Sequence, residues 1–198
     1  MKRILRTRIP LIAVAAILSS GLATSRVDAA ITVDDFEGYA SEAAFDLAWR
    51  PVQPAQQATV PVTLETSVAR SGSQSMRIDY NLGNDPFFGQ DRFDFPSQNW
   101  STYSKVEFWY LGQATNSEEI LGLRFYTSFG SEIGRVQLPI SQTRVDSWTR
   151  GILDLNNFTP GPANGQQNDV AQIRIALTGS DFGSGVLWID DIRVVPEP

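Results

Sequence analysis

Residues 104–111 read Ser104-Lys105-Val106-Glu107-Phe108-Trp109-Tyr110-Leu111, and this stretch decides the fold. Val106, Phe108 and Tyr110 fall on one parity, Lys105, Glu107 and Trp109 on the other. That is the period of an extended strand with one buried face; a helix would scatter the same residues around its circumference. Working outward, the pattern recurs over 60–67 (Val60, Val62, Leu64), 74–81 (Met76, Ile78, Tyr80), 120–128 (Leu121, Leu123, Phe125) and 134–140 (Val136, Leu138, Ile140). It continues over 147–154 (Trp148, Ile152), 171–178 (Ile173, Ile175, Leu177) and 185–194 (Leu187, Ile189, Ile192). Glycine and proline clusters such as 82–86 and 158–165 end the pairing between these runs. Short strands separated by turn residues predict an all-β fold, a two-sheet antiparallel β-sandwich. Segment 41–49 stands apart, with room for one or two helical turns and Ser41 as a fitting N-cap. The chain has no internal repeat, so solenoid and propeller architectures do not apply.

The ends have a different character. Lys2, Arg3, Arg6 and Arg8 precede an apolar run over 9–18 and then small residues down to Ala29-Ala30. This is the layout of a secretory signal peptide over 1–30, its apolar run too short to span a bilayer. The expected organisation is therefore a leader over 1–30, one sandwich domain over 31–195, and a short C-terminal segment over 196–198. Loss of the leader removes five basic residues and one acid, taking the formal net charge from −6 to −10. Lys105 is then the single lysine, and the arginines are scattered along the chain, which argues against nucleic acid as a partner. There is no cysteine, so a secreted or envelope-located protein of this kind relies on its core, and on any metal it binds, rather than on disulfides. A monomer is expected.

Histidine is also absent, which excludes Ser-His-Asp and Cys-His nucleophiles and the usual zinc sites. Glycoside hydrolysis needs only two carboxylates at a set separation. No strand carries closely spaced inward acids, however, and Glu118-Glu119 reads as a solvated turn. Two acidic clusters stand out, Asp34-Asp35-Phe36-Glu37 near the start of the domain and Asp190-Asp191 near its end. Alternation in a strand sends one of two adjacent aspartates inward, where a carboxylate needs a partner or a metal. Calcium, which takes oxygen ligands, would satisfy both clusters if the terminal strands meet, with carbonyls of Arg70-Ser71-Gly72-Ser73 added; the alternative is acids that end strands in solvent.

If Val106, Phe108 and Tyr110 point inward, Trp109 points outward; the same parity puts Arg124 and Tyr126, Arg135 and Gln137, and Arg174 outward on their strands. Should these strands share one sheet, Trp109, Arg124, Tyr126, Gln137 and Arg174 form a platform of aromatic and polar groups suited to a sugar. The alternative is an ordinary solvated face.

Four motifs occur in order: Asp35-Phe36-Glu37-Gly38, then 69–78 (Ala69-Arg70-Ser71-Gly72-Ser73 onward), then Ser104-Lys105-Val106-Glu107-Phe108-Trp109, then Leu187-Trp188-Ile189-Asp190-Asp191-Ile192. Together they resemble the galactose-binding-like jelly rolls found among carbohydrate-binding modules, over nearly all of the domain. The resemblance implies a structural Ca2+ between the first and last strands, carried onto Glu37 and Asp191, with Asp35 and Asp190 as further ligands. Val195-Pro196-Glu197-Pro198 resembles the opening of a PEP-type C-terminal sorting signal, which would imply membrane attachment if an apolar tail follows. The function expected is a non-catalytic module binding a polysaccharide or oligosaccharide. The rival readings are a structural or adhesive envelope protein and a small carbohydrate-active hydrolase or lyase.

Overall fold

The computed structural model describes residues 29–52, 60–83, 87–92, 95–139, 142–179 and 182–196. The expected leader lies outside the described residues except for Ala29 and Ala30, as do Glu197 and Pro198 of the C-terminal motif. The strands are β1 (Ile31–Asp34), β2 (Trp49–Pro51), β3 (Val62–Glu65), β4 (Ser75–Asn81), β5 (Phe87–Arg92) and β6 (Tyr103–Leu111). They continue with β7 (Ile120–Tyr126), β8 (Glu132–Gln137), β9 (Thr149–Asp154), β10 (Thr159–Pro160), β11 (Gln172–Thr178) and β12 (Ser184–Pro196). They form two antiparallel sheets, ordered β3-β4-β12-β6-β9 with β1 also on β12, and β10-β8-β7-β11-β5-β2. The first is called sheet A below and the second sheet B.

Most residues expected to face inward do so, but β9 reverses the expected parity: Ile152 pairs with the outward Glu107 and is 48% exposed, while Leu153 pairs with Val106 and is buried; Ile140 lies outside the described residues. Val106, Phe108 and Tyr110 of sheet A and Leu123, Phe125, Val136, Ile173 and Ile175 of sheet B are all buried in one hydrophobic cluster. Full burial of each such side chain contributes about 1.5–3 kcal/mol, which accounts for how a chain without disulfides holds its shape. Trp49 and Trp100 lie in the same cluster, Trp100 in contact with Phe95 and Phe125. The short helix α1 (Glu42–Ala48) forms where expected: the Ser41 side chain accepts a hydrogen bond from the Ala44 N–H, and Phe45 and Ala48 bury its apolar face.

Four strands escaped the sequence reading. β1, β2 and β10 are too short to show a period, and Phe87-Phe88-Gly89-Gln90-Asp91-Arg92 does not alternate, yet β5 pairs with β11 on one side and β2 on the other. The solvated turn expected at Glu118-Glu119 is only half present. Glu118 is exposed and paired with Arg144 at 2.7 Å, but Glu119 is fully buried, its carboxylate wedged against Gly179 and Gly183 where any side chain would collide with it. Beside it the buried Asn116 amide donates to the carbonyls of Thr143 and Val186 and accepts from the Val186 N–H, tying the segments around residues 116 and 143 to the start of β12.

The last strand departs from simple alternation, and this corrects the expectation for its aspartates. β12 pairs with β4 over 184–189 and with β1 over 192–194, so the terminal strands do meet. Its pairing with β6 shifts register between Asp190 and Arg193, and Asp191 sits there at φ 52°. A bulge adds one residue, so Ile189 and Ile192 both point into the core although they are three apart. Neither aspartate therefore enters the core. Asp190 stands opposite Trp109 on the outer side of sheet A and is buried there by the loop around residue 70.

Candidate functional site

Sheet pairing divides the expected platform. Arg124 and Tyr126 (β7), Gln137 (β8) and Arg174 (β11) share the outer face of sheet B, whereas Trp109 (β6) belongs to sheet A, on the opposite side of the sandwich. Trp109 is partly exposed there, with the Arg70 guanidinium 4.2 Å from its ring centre. The reading from sequence had no means of assigning strands to sheets, because alternation defines faces within a strand and says nothing of its neighbours.

On sheet B the register is regular between β11 and β7, while β7 and β8 shift by one residue between Phe125 and Tyr126. Arg174 lies directly opposite Arg124, and Arg124 directly opposite Arg135 on β8. One row along, Gln172 stands opposite Tyr126, and Tyr126 opposite Glu132 across the register shift. Glu132 lies 3.6 Å from Arg124 and 3.9 Å from Arg135, and its carboxylate accepts a hydrogen bond from the Tyr126 hydroxyl. The Arg174 guanidinium covers the Tyr126 ring at 4.5 Å, leaving that tyrosine only 6% exposed. Burial pushes the Tyr126 hydroxyl above its ordinary pKa, against the opposing pull of Arg174, so it stays a hydrogen-bond donor at neutral pH. In the row on the other side, Gly122 and Ala176 carry little or no side chain, and Gln137 leans over Gly122. The face is thus a ledge of guanidinium groups above a lower floor, with donors that outnumber acceptors.

The acidic clusters meet around the loop at 70–74. Glu37 accepts from the N–H groups of Ser73 and Gln74 and from the Ser73 hydroxyl; burial acts to raise its pKa, but these bonds prevail and hold the carboxyl below its ordinary value. Asp190 accepts from the N–H groups of Arg70 and Ser71, and Asp191 from the Ser71 hydroxyl. Burial pushes the Asp190 carboxyl up to about 6, against the pull of its backbone donors. Asp35 is exposed and accepts from the Glu37 N–H. Asp34, which the reading from sequence did not assign to the site, is buried and accepts from Phe36 N–H, the Tyr39 hydroxyl and Trp49 Nε1. Among the described residues no three acidic side chains come close enough to hold a metal ion by themselves. One feature fits a hard cation nonetheless: Gln74 Oε1 is buried without a hydrogen-bond partner, next in chain to Ser73 on Glu37.

Two stacked antiparallel sheets define a β-sandwich of the kind found among carbohydrate-binding modules. Residues 23–158 match the carbohydrate binding domain (family 11), and the protein belongs to that family. Its fold is similar to the family 11 carbohydrate-binding module of the cellulosomal cellulase Lic26A-Cel5E of Clostridium thermocellum, with a TM-score of 0.59 and 16% identity over 85% of this chain and 95% of that one. A family 11 module from the same organism in complex with a beta-1,3-1,4-mixed-linked tetrasaccharide gives 0.60 at 15% identity, over 84% and 95% of the two chains. CBM27-1 of Caldicellulosiruptor saccharolyticus, in complex with mannohexaose, gives 0.57 at 11% identity, over 86% and 98%. No curated protein sequence matches the chain significantly.

Proposed function

We propose that this protein is an exported module that takes a polysaccharide or oligosaccharide on the outer face of sheet B, using Arg124, Tyr126, Gln137 and Arg174. The observation that carries the reading is the convergence of these four side chains on one face of a family 11 carbohydrate-binding domain. Trp109, on the other sheet, takes no part. Retention on a panel of insoluble and soluble polysaccharides tests this: Tyr126→Ala combined with Gln137→Ala is expected to weaken binding about ten- to a hundredfold, the value of one or two well-placed hydrogen bonds with their supporting shelf. Trp109→Ala is expected to leave binding unchanged. Loss on the Trp109 variant with retention on the sheet B variant would move the site to sheet A.

The same reading includes a structural calcium ion tying the first strand to the last, with Glu37 and Asp191 as its principal carboxylates and Asp35 and Asp190 beside them. What supports it is the unpartnered Gln74 Oε1 and the gathering of hard oxygen atoms on both sides of the 70–74 loop. Such an ion would contribute cross-linking charge between strands distant in sequence. At calcium a hundredfold above its dissociation constant, chelation is expected to lower the melting temperature by about 5–10 °C for a chain of this size. Asp191→Asn is expected to abolish most of that difference. A melt indifferent to both calcium and chelator removes the ion from the account.

A further inference from the structure

Three arginines stand directly opposite one another on three neighbouring strands: Arg174 on β11, Arg124 on β7 and Arg135 on β8. The same row continues in the other direction through Asp91 on β5 to Arg50 on β2. Neighbouring strands lie about 4.8 Å apart, and like charges directly opposite across such a gap repel. Folding therefore works against this row, and part of the repulsion is relieved by Glu132 between Arg124 and Arg135 and by the Tyr126 ring beneath Arg174. Arg174, Arg124 and Arg135 against the carboxylate of Glu132 leave this stretch of the row at a formal +2, on a chain whose total is −6. The side chains of Arg124 and Arg135 remain 22% and 42% exposed, so both reach solvent.

A neutral glycan is held by open aromatic faces and by mixed donors and acceptors. Here the Tyr126 ring is already covered by Arg174, and the groups along the row are donors in forked, planar geometry, the shape that receives a carboxylate or sulfate on two parallel hydrogen bonds. We propose that the carbohydrate taken on sheet B is anionic, a glycan bearing carboxylate or sulfate groups along its chain, which pair with Arg174, Arg124 and Arg135. This rests on the reading that the outer face of sheet B is the carbohydrate site. The anionic groups neutralise a row that the free protein holds at a disadvantage, so binding and folding favour the same charge.

Titration calorimetry or affinity electrophoresis with polygalacturonate, dextran sulfate and a mixed-linkage β-glucan tests the proposal on the intact protein. Binding to one of the two anionic polymers is expected, stronger than to the neutral glucan and falling steeply as salt rises through about 0.5 M; the preferred polymer identifies carboxylate or sulfate as the partner group. Arg124→Gln with Arg174→Gln is expected to lose about ten- to a hundredfold in affinity, the effect of removing charge-assisted hydrogen bonds. Lys105→Gln, on sheet A, is expected to change nothing. The salt dependence of the unaltered protein decides the matter even if the double variant unfolds. Salt-insensitive binding to the neutral glucan alone overturns the anionic assignment and leaves the carbohydrate reading standing, whereas failure to bind any of the three overturns both. Equal retention of a single-stranded oligonucleotide at about 0.15 M salt overturns it as well, by reducing the row to a general polyanion surface.

Discussion

Asp34→Ala is expected to lower the melting temperature by about 10 °C or more. Its carboxylate holds three donors at once: the Phe36 N–H at 2.8 Å, the Trp49 indole at 2.8 Å and the Tyr39 hydroxyl. Trp49 is itself buried and stacked on Phe36, with ring centres 6.0 Å apart. Truncation would leave the buried indole N–H without its acceptor, at a cost of about 1–3 kcal/mol, and would also remove the acceptor of the buried Phe36 N–H and of the half-buried Tyr39 hydroxyl. The sum, about 3–5 kcal/mol, is a large part of a typical domain's stability. Asp34→Asn should recover only a part, because its amide must turn one N–H toward these donors. Equilibrium urea unfolding of both variants measures the difference; a loss below about 1 kcal/mol for the alanine would mean that Asp34 does not organise the β1–β2 corner.

Loss of the Glu65 charge is expected to weaken the fold in acid. The Ser67 hydroxyl acts most strongly on this carboxyl, and the backbone N–H groups of Ser67 and Thr66 and the Trp188 indole add to it, outweighing burial and bringing the carboxyl down to about 2. The ordinary value is 4.5, so the folded state holds this group ionised more strongly than the unfolded chain does. The stabilisation, about 3 kcal/mol, is fully present above pH 4.5 and disappears as pH falls toward 2. Glu65→Gln is therefore expected to destabilise the protein by about that amount at pH 7, with a melting temperature lower by roughly 5–10 °C. The gap between the two proteins should close progressively between pH 4.5 and 2. Thermal melts at pH 7, 5, 4 and 3 measure it; a gap that stays constant across that series would show that packing against Trp188, rather than the charge, accounts for Glu65.

Both residues illustrate what a linear reading misses. Asp34 looked like one acid among three at the start of the domain, and its role depends on Tyr39 and on Trp49, which arrives from the far side of α1. Glu65 ends a short strand and is held mainly by its neighbours Ser67 and Thr66, with the Trp188 indole, more than a hundred residues away, adding a contact that sequence order does not reveal. By contrast, the inward sets of β6, β7 and β11 were legible in full, because each alternates long enough to fix its own parity and one greasy face is sufficient to predict burial, whereas β8 hid its buried Ile133 at an irregularity in its pairing with β7. β5 was invisible since it lies between two partners and has no period of its own.

The same division runs through the site. The residues themselves determined the class of fold, the parity of Arg124, Tyr126, Gln137 and Arg174, the absence of histidine and cysteine chemistry, and the gathering of acids at both ends of the domain. They also suggested that the arginines are scattered, which is true along the chain and untrue in space. Strand pairing brings residues 50, 124, 135 and 174 into one row, moves Trp109 to the other side of the sandwich, and, through a one-residue bulge at Asp191, keeps both terminal aspartates out of the core. Side-chain direction within a strand is a local property of the backbone, whereas the choice of neighbour and register depends on burying two whole faces together, and that is settled only when the sheets close on one another.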